Sequence, residues 1–228
     1  MARSEGGVTP GDRLLVVTLG FDERFALRAL GEHRPSRLYA LALYTDESSW
    51  SRVSKAFSQL RLFAGQLGVE AELIRVDYRG ERVSVLVGRL KPLLEGLVED
   101  SGGTVLALTG GPRLLVVAVL VAALSLPERL VERIVLRLEG EGFDAVVVEP
   151  LANLRYAELD PTARRVLRLL VDARREGRWV GPTEVSERLG IPKSTAYKKL
   201  QELVARGLAE YDQRSRRYTA TEKAYVNA

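Results

Sequence analysis

The chain has no cysteine, and histidine and methionine occur once each among its 228 residues. Without cysteine it forms no disulfide and offers no thiolate to a metal ion. His33 is the only imidazole in the sequence, which argues against a histidine-based metal centre or proton relay. We therefore expect no metal site and no resident cofactor.

Long apolar stretches are also missing. The longest, residues 114–126, contains Ser125 and is shorter than the ~20 residues that a membrane-spanning helix needs. The N-terminus lacks the apolar core of a signal peptide. We therefore expect a soluble cytoplasmic protein without membrane contact. Lysine is scarce as well, at 6 residues against 28 arginines, and this composition hints at a thermophile.

Charge is distributed unevenly along the chain. Residues 1–159 carry 19 basic and 21 acidic side chains, whereas residues 160–228 carry 15 and 9. The net charge is therefore −2 in the first part and +6 in the second. A basic end on a near-neutral partner predicts that a polyanion binds to the C-terminal part alone.

Short β-rich runs alternate with longer helical patterns in the first part. We predict strands at 13–19, 37–44, 69–76 and 104–108, and helices at 23–31, 50–67, 83–99 and 112–126. Apolar strands alternating with helices predict an α/β domain of Rossmann type, with a mostly parallel sheet covered on both faces. Two more strands, 134–138 and 145–148, flank an acidic, glycine-rich tip and predict a hairpin at the sheet edge. We place this domain at residues 1–148 and a linker at 149–159.

Residues 160–228 predict a winged helix-turn-helix. Asp160 and Pro161 suit the start of a helix, since aspartate caps it and proline fits its first turn. A short helix then runs from Pro182 to Gly190, and a longer one covers residues 193–206. Strands at 208–211 and 217–220 enclose residues 212–216 as the wing.

The longer helix is the candidate recognition helix. Ala196, Leu200, Leu203 and Val204 share one face and are expected to pack inward. Hydroxyl, phenol and ammonium groups near the helix start suit phosphates and base edges, and arginines occupy the wing. The predicted DNA contacts are Lys193, Ser194, Thr195, Tyr197, Lys198, Lys199, Arg214, Arg216 and Arg217. We expect binding to double-stranded DNA as a homodimer; the alternative is an assembly factor whose winged helix contacts only protein.

Two loops at strand ends form the second candidate site. One is Gly20, Phe21, Asp22 and Glu23 after the first strand; the other is Thr109, Gly110, Gly111, Pro112 and Arg113 after the fourth. Glycines let backbone N–H groups approach a ligand, helix N-termini attract anions, and Arg113 suits a phosphate. The pattern favours a phosphate-bearing ligand, although glycine is common in any such turn. Tyr44, Thr45 and Ser48 are further candidates at the mouth of the second strand.

These two loops, together with the winged helix, resemble those of the CRISPR-associated CARF-domain (Rossmann-fold) transcription regulators, the archaeal Csa3-like family. The resemblance implies a homodimer that binds a cyclic oligoadenylate, with cyclic tetra-adenylate as first candidate, across its two-fold axis. It also implies that the loop residues from Gly20 to Glu23 and from Thr109 to Arg113 contact this ligand.

Neither loop contains lysine, and His33 is not obviously near them, so we favour sensing over cleavage and expect no enzyme. The alternatives are a ring nuclease and a regulator that senses another phosphorylated metabolite. Residues 114–126 are apolar on all sides, which fits either a wholly buried core helix or a dimer seam.

Overall fold

The computed structural model describes residues 13–140 and 145–228. The chain divides into two compact units, Met1–Ala152 and Asn153–Ala228. The predicted hairpin tip lies partly outside the described residues, since it includes Glu141 and Gly142.

A twisted sheet forms the centre of the first unit. Its strands within the described residues are β1 (Arg13–Leu19), β2 (Arg37–Tyr44), β3 (Glu70–Asp77), β4 (Gly103–Ala107), β5 (Ile134–Glu139) and β6 (Val146–Pro150), in the order β3-β2-β1-β4-β5-β6. The pairs from β3 to β5 are all parallel, and β6 runs antiparallel at the edge. This confirms the predicted Rossmann-like class and the edge hairpin. Because the first five strands are parallel, their carboxyl ends meet at one edge.

Helices connect these strands and bury their apolar faces against the sheet. They are α1 (Arg24–His33), α2 (Glu47–Gln66), α3 (Val83–Glu99), α4 (Arg113–Leu124) and the short α5 (Glu128–Val131). Leu86, Leu90 and Leu94 of α3 recur at every fourth position and are fully buried. The α2 helix begins before the predicted Trp50, because Asp46 accepts a hydrogen bond from the Ser49 N–H at 2.8 Å and caps it.

The apolar helix α4 is buried on one side only. Leu115, Ala118 and Val119 are inaccessible, whereas Val117 and Val121 are 50% and 42% exposed. The alternative of a wholly buried core helix is therefore wrong for the single chain. Arg113, Val117 and Val121 are four residues apart and share the exposed side.

The second unit contains α6 (Pro161–Arg175), α7 (Pro182–Leu189), α8 (Lys193–Ala205), the hairpin β7 (Ala209–Asp212) and β8 (Arg217–Ala220), and the short α9 (Ala224–Asn227). The Asp160 carboxylate accepts hydrogen bonds from the N–H groups of Thr162 and Ala163, which confirms the predicted cap. Gly190 ends α7 in a left-handed conformation, also as predicted. A core that includes Val166, Leu200 and Tyr218 joins helices and hairpin.

The predicted linker, residues 149–159, contains regular structure at its start. Glu149 and Pro150 extend β6, and a 3₁₀ turn, Leu151–Leu154, follows directly. The Asn227 side chain then accepts a hydrogen bond from the Ala157 N–H at 2.5 Å and donates one to the Arg155 carbonyl at 3.1 Å. The last part of the linker is thus attached to the second unit.

A cleft at the strand ends and a basic helix face

A cleft of about 780 Å³ lies where the carboxyl ends of β1, β2 and β4 meet. Both predicted loops line it, through Gly20, Phe21, Asp22, Gly110, Gly111 and Pro112. Thr45 and Ser49 line it from the segment after β2, and Glu139 and Gly140 from the end of β5. The sheet therefore brings together two loops that are some 90 residues apart in the sequence, as the sequence predicts.

Glycine is required in these loops because their backbones touch. A β-carbon on Gly20 would lie 2.9 Å from the Cα of Gly111, and one on Gly110 would lie 2.8 Å from the carbonyl oxygen of Thr18. Gly111 also has a positive φ of 85°. The Thr18 hydroxyl donates to the Gly110 carbonyl at 2.5 Å and closes the contact. The loops thus form one joined rim, rather than two independent glycine turns.

Three predicted loop residues do not line the cleft. Glu23 precedes α1 and makes no side-chain cap. The Thr109 hydroxyl turns to β5, where it accepts the Glu139 N–H at 2.8 Å. Arg113 lies on the exposed side of α4 with Val117 and Val121, outside the cleft of its own protomer.

The segment after β2 gives a mixed result. Of the candidates there, Thr45 lines the cleft, and Tyr44 and Ser48 do not. The Tyr44 hydroxyl instead donates to Glu47 at 2.7 Å, and the Arg75 guanidinium stacks on its ring at 3.3 Å from the centroid. These contacts give Tyr44 a role in holding β2, β3 and the start of α2 together.

Two arginines that the sequence analysis missed supply the cations of the cleft. Arg24 and Arg28 lie one helical turn apart on α1, and both line the cleft. Nε and Nη2 of Arg24 donate to Asp22 at 2.8 and 2.5 Å, and this hydrogen bonding lowers the pKa of Asp22. Nη2 of Arg28 lies 2.5 Å from Oε1 of Glu139. Their spacing of four residues, directly after the first loop, was the available signal.

A cluster of charges with a buried centre, Arg137 and Glu139, supports this wall of the cleft. Arg137 on β5 is fully buried, and its Nε and Nη2 lie 2.9 and 3.0 Å from the two oxygens of Glu32. Its Nη1 lies 3.1 Å from Oε2 of Glu139. Hydrogen bonding to Arg137 lowers the pKa of Glu32. Arg28, Glu139, Arg137 and Glu32 thus form a chain of alternating charges.

An aromatic ring is exposed on the same cleft. Phe21 is 51% exposed, and the Arg52 guanidinium lies 3.7 Å from its ring centroid. Such a cation–π contact holds the ring in place and leaves its other surface available for stacking. His33, by contrast, lines a separate cavity with Arg13 and Gly103 at the amino ends of the strands. Burial lowers its pKa, and no loop of the cleft is near it.

The recognition helix α8 presents a polar, basic face. Ala196, Leu200 and Leu203 are buried and Val204 is partly buried, as the periodicity predicts. On the opposite side Lys193, Ser194, Tyr197 and Lys198 are exposed, and Thr195 is half-buried. Hydroxyl, phenol and ammonium groups therefore lie together at the N-terminal end of this helix.

Lys199 is placed differently from its neighbours. Its ammonium group lies 2.6 Å from Asp160 and 2.8 Å from Glu202, and its side chain is only 19% exposed. The hydrogen bond to Asp160 raises the pKa of Lys199. Because Asp160 also caps α6, Lys199 attaches the recognition helix to the first helix of its unit. We therefore leave it out of the proposed DNA-contacting set.

The wing has an ordered turn. The Ser215 hydroxyl donates a hydrogen bond to Asp212 at 2.6 Å, and the N–H groups of Ser215 and Arg214 donate two more; this hydrogen bonding lowers the pKa of Asp212. Arg216 adopts a positive φ of 55°, and both it and Arg214 are exposed. Arg217 donates to the Trp179 carbonyl at 3.1 Å. Arg214 and Arg216 are therefore presented at the tip, and Arg217 also ties the hairpin to the segment before α7.

In residues 13–140 and 145–228, no three His, Cys, Asp or Glu side chains are grouped so that they could hold a metal ion. Over the same ranges, the structure contains no helix with the length and apolar character needed to cross a bilayer.

Comparison with known proteins gives two family matches. Residues 13–147 match the Csa3 CRISPR-associated Rossmann-like domain, and residues 161–213 match the IclR helix-turn-helix domain. No curated protein matches the chain.

Similar solved structures include Enterococcus italicus Csm6 bound to cyclic hexa-2′-fluoro-hexa-dAMP, at 12% identity over 59% of this chain and 35% of that chain, with a TM-score of 0.47. They also include Can2 from Sulfobacillus thermosulfidooxidans in complex with cyclic tetra-adenylate, at 12% identity over 94% of this chain and 63% of that chain, with a TM-score of 0.42. The alignments span less than two thirds of either structure's own chain.

Proposed function

The chain belongs to the family of the Csa3 CRISPR-associated Rossmann-like domain and carries an IclR-type helix-turn-helix, and on this basis we propose that it is a ligand-responsive transcription regulator of CRISPR-related genes. The first unit binds an effector, and the second binds double-stranded DNA. A difference in effector affinity between two arrangements of the dimer would change the affinity for the operator.

The charge and geometry of the second unit support DNA binding. Residues 160–228 carry a net charge of +6. The exposed face of α8 holds Lys193, Ser194, Tyr197 and Lys198, and the wing adds Arg214 and Arg216. In a winged helix-turn-helix the N-terminal end of the recognition helix enters the major groove, while the wing reaches adjacent phosphates. Thr195 and Arg217 lie beside these groups as secondary contacts.

The cleft supports a cyclic oligoadenylate as the effector, with cyclic tetra-adenylate as the first candidate. Arg24 and Arg28 offer cations for phosphates, and the exposed ring of Phe21 offers a surface for an adenine. The resemblance of both loops to those of CARF regulators points to the same ligand. The observation that carries the proposal is the joined glycine rim with two arginines beside it, in a chain that also holds a DNA-binding unit.

We place the two-fold contact of a homodimer on the exposed side of α4. Val117 and Val121 expose apolar surface there, and Arg113 lies four residues before Val117. A dimer formed through this side would bring the two Arg113 residues close to the axis. A ring of four identical nucleotides has its own two-fold symmetry, so both protomers would offer it the same contacts.

We favour sensing without turnover. Neither loop contains a lysine, and His33 lies at the opposite ends of the strands. Among the described residues, no lysine or histidine lines the cleft to act as a general acid or base on a phosphodiester.

A titration of cyclic tri-, tetra- and hexa-adenylate into the purified protein, with and without promoter DNA, tests the proposal. We expect cyclic tetra-adenylate to bind and to change the DNA affinity by about 5-fold or more. Phe21→Ala should weaken ligand binding and leave basal DNA binding unchanged. Linear products in the same mixture would show a ring nuclease. Binding of only a mononucleotide or sugar phosphate would show another effector, and salt-insensitive DNA binding would argue for a protein-contact module.

A further inference from the structure

We propose that Arg28 is the main phosphate-binding residue of the cleft, and that Glu139 is an internal competitor that holds Arg28 when no ligand is bound. This inference rests on the proposed function, because it assumes that the cleft takes a phosphate-bearing ligand. The inference assigns phosphate binding to one arginine and explains how the ion pair with Glu139 would lower the affinity of the cleft for small anions.

Arg28 is positioned to exchange partners. Its guanidinium lines the cleft, its side chain is 53% exposed, and Glu139 is its ion-pair partner among the described residues. A single carboxylate oxygen contacts one end of a group that has five N–H donors. The rest of the planar fork remains available to an incoming phosphate, which arginine binds through two parallel hydrogen bonds.

Arg24 is less suited to this role. Both its Nε and its Nη2 already donate to the carboxylate of Asp22, its neighbour in the first loop. One of the two donor edges of the guanidinium is therefore already held by a carboxylate in a two-point contact. Arg24 is also 76% exposed, so water weakens any charge interaction that it makes.

Glu139 can release Arg28 without being left as an isolated buried charge. Its side chain is only 7% exposed, so a carboxylate without a partner would be strongly unfavourable. However, its second oxygen lies 3.1 Å from the buried Arg137, and its backbone N–H is held by Thr109. Glu32 in turn balances part of the charge of Arg137. When Arg28 turns to a phosphate, Glu139 therefore keeps a cationic partner.

The same carboxylate also opposes ligand binding. A phosphate that binds Arg28 must come close to Glu139, and the two negative charges repel each other in a partly desolvated cleft. A ligand with a single phosphate would not gain enough binding energy to separate Arg28 from Glu139. A cyclic oligonucleotide makes further contacts in the cleft, and their binding energy would offset this cost. The pair would thus favour the large effector over abundant small phosphates.

Calorimetric titration of cyclic tetra-adenylate into four variants of the full chain tests this inference. We expect Arg28→Gln to weaken binding by about 10-fold or more, since a charge-assisted bidentate contact is lost. Glu139→Gln should tighten binding by about 3-fold or more, because the competitor loses its charge. In the double variant, R28Q/E139Q, the gain in affinity relative to Arg28→Gln should be clearly smaller, because only the direct repulsion between Glu139 and the phosphate is then removed. Glu99→Gln, which removes an equal charge from the exposed pair with Arg129, is the matched control and should change nothing.

Wild-type affinity in Arg28→Gln would overturn the inference, and so would an equal gain in affinity from Glu139→Gln in the presence and in the absence of Arg28. Because the Arg28 side chain is half exposed, we expect Arg28→Gln to fold. The comparison of wild type with Arg28→Gln therefore tests the inference even if Glu139→Gln unfolds.

A second measurement separates failure of this inference from failure of the proposed function. Pyrophosphate is titrated in large excess into ¹⁵N-labelled protein, so that weak binding in competition with Glu139 is still detected, and the amide signals of Gly110 and Gly111 are followed. If no cyclic oligoadenylate binds but pyrophosphate shifts these signals in wild type and not in Arg28→Gln, the function fails and the inference stands. If cyclic tetra-adenylate binds equally to wild type and Arg28→Gln, the inference fails and the function stands. If neither anion binds, both fail.

Discussion

The two loops of the cleft can touch because glycine occupies the contact positions, Gly20, Gly110 and Gly111. Backbone atoms fill the space that a β-carbon would take on each of these glycines, at 2.8 to 3.2 Å. Because the neighbouring atoms belong to the backbone, they cannot move aside as the end of a flexible side chain would. Replacement at these positions therefore shifts a loop, and with it the cleft.

We predict that Gly110→Ala lowers the free energy of unfolding by about 1–3 kcal/mol and weakens effector binding, because the new methyl group collides with the Thr18 carbonyl. Gly96→Ala on α3 is the control, since nothing lies within 4 Å of its β-carbon position. An exposed helical glycine that becomes alanine should gain about 0.5–1 kcal/mol. Denaturant melts and a ligand titration measure both variants. Equal stability of the two would contradict the contact.

The sequence placed both glycine loops correctly at the carboxyl ends of parallel strands, but the contact between their backbones was not predicted, since it depends on the strand order. The Arg28–Glu139 pair could not be read in the same way, since it joins residues that are far apart and depends on side-chain direction. Arg113 shows the same limit. Its position at the start of α4 was predicted within one residue, but the packing of α4 turns it to the side of Val117 and Val121.

Among the secondary-structure elements, α8 carries two neighbouring lysines, Lys198 and Lys199, that point in different directions and have different roles. Successive residues on a helix point about 100° apart. Lys198 therefore projects from the exposed face, whereas Lys199 turns to Asp160 and Glu202. The sequence analysis predicted both lysines as DNA contacts, because the ion pair of Lys199 with Asp160, 39 positions earlier, cannot be read from local sequence.

We expect Lys198→Ala and Lys199→Ala to affect different properties. Loss of Lys198 should weaken binding to any DNA duplex and reduce the salt slope by about 1, with unchanged stability, because one phosphate contact disappears. Loss of Lys199 should lower the free energy of unfolding by about 1–2 kcal/mol, because a partly buried ion pair with Asp160 and Glu202 is broken. DNA titrations at several salt concentrations and thermal melts distinguish them. If both variants lost only DNA affinity, the placement of Lys199 would be wrong.

Element ends were predictable where a capping residue marks them. Asp160 with Pro161 and the left-handed Gly190 lie at the expected ends of α6 and α7. The helices α5 and α9 were missed, since each has four residues, too few for a periodic pattern to appear. Their formation depends on packing against the rest of the unit rather than on local sequence.

At the scale of the whole molecule, the exposed apolar side of α4 is the surface on which we place the dimer contact. We predict that Val121→Glu raises the dissociation constant of the dimer by about 100-fold or more and abolishes effector binding, because a charge would be buried at the seam. Val226→Glu is the control, since Val226 is 44% exposed and Val121 42%. Sedimentation equilibrium measures both. If Val121→Glu dimerised as tightly as the wild type, the dimer contact would not lie on the exposed side of α4.

The fold class followed from strand and helix alternation, but the strand order did not. Alternation requires parallel strands with crossover helices, and this holds for β1 to β5. The placement of β4 beside β1, which brings the two loops together, depends on long-range packing. The position of the site was nevertheless predictable, because open α/β sheets bind ligands at the carboxyl ends of their strands.

The joined glycine rim sets a rule for redesign of this sensor. A library that aims at a new inducer should randomise Phe21 and Arg28, whose side chains line the cavity, and should leave Gly20, Gly110 and Gly111 untouched. Variation would then reshape the chemistry of the pocket on an intact scaffold, so that clones lost to misfolding would be few and biosensor screening correspondingly efficient.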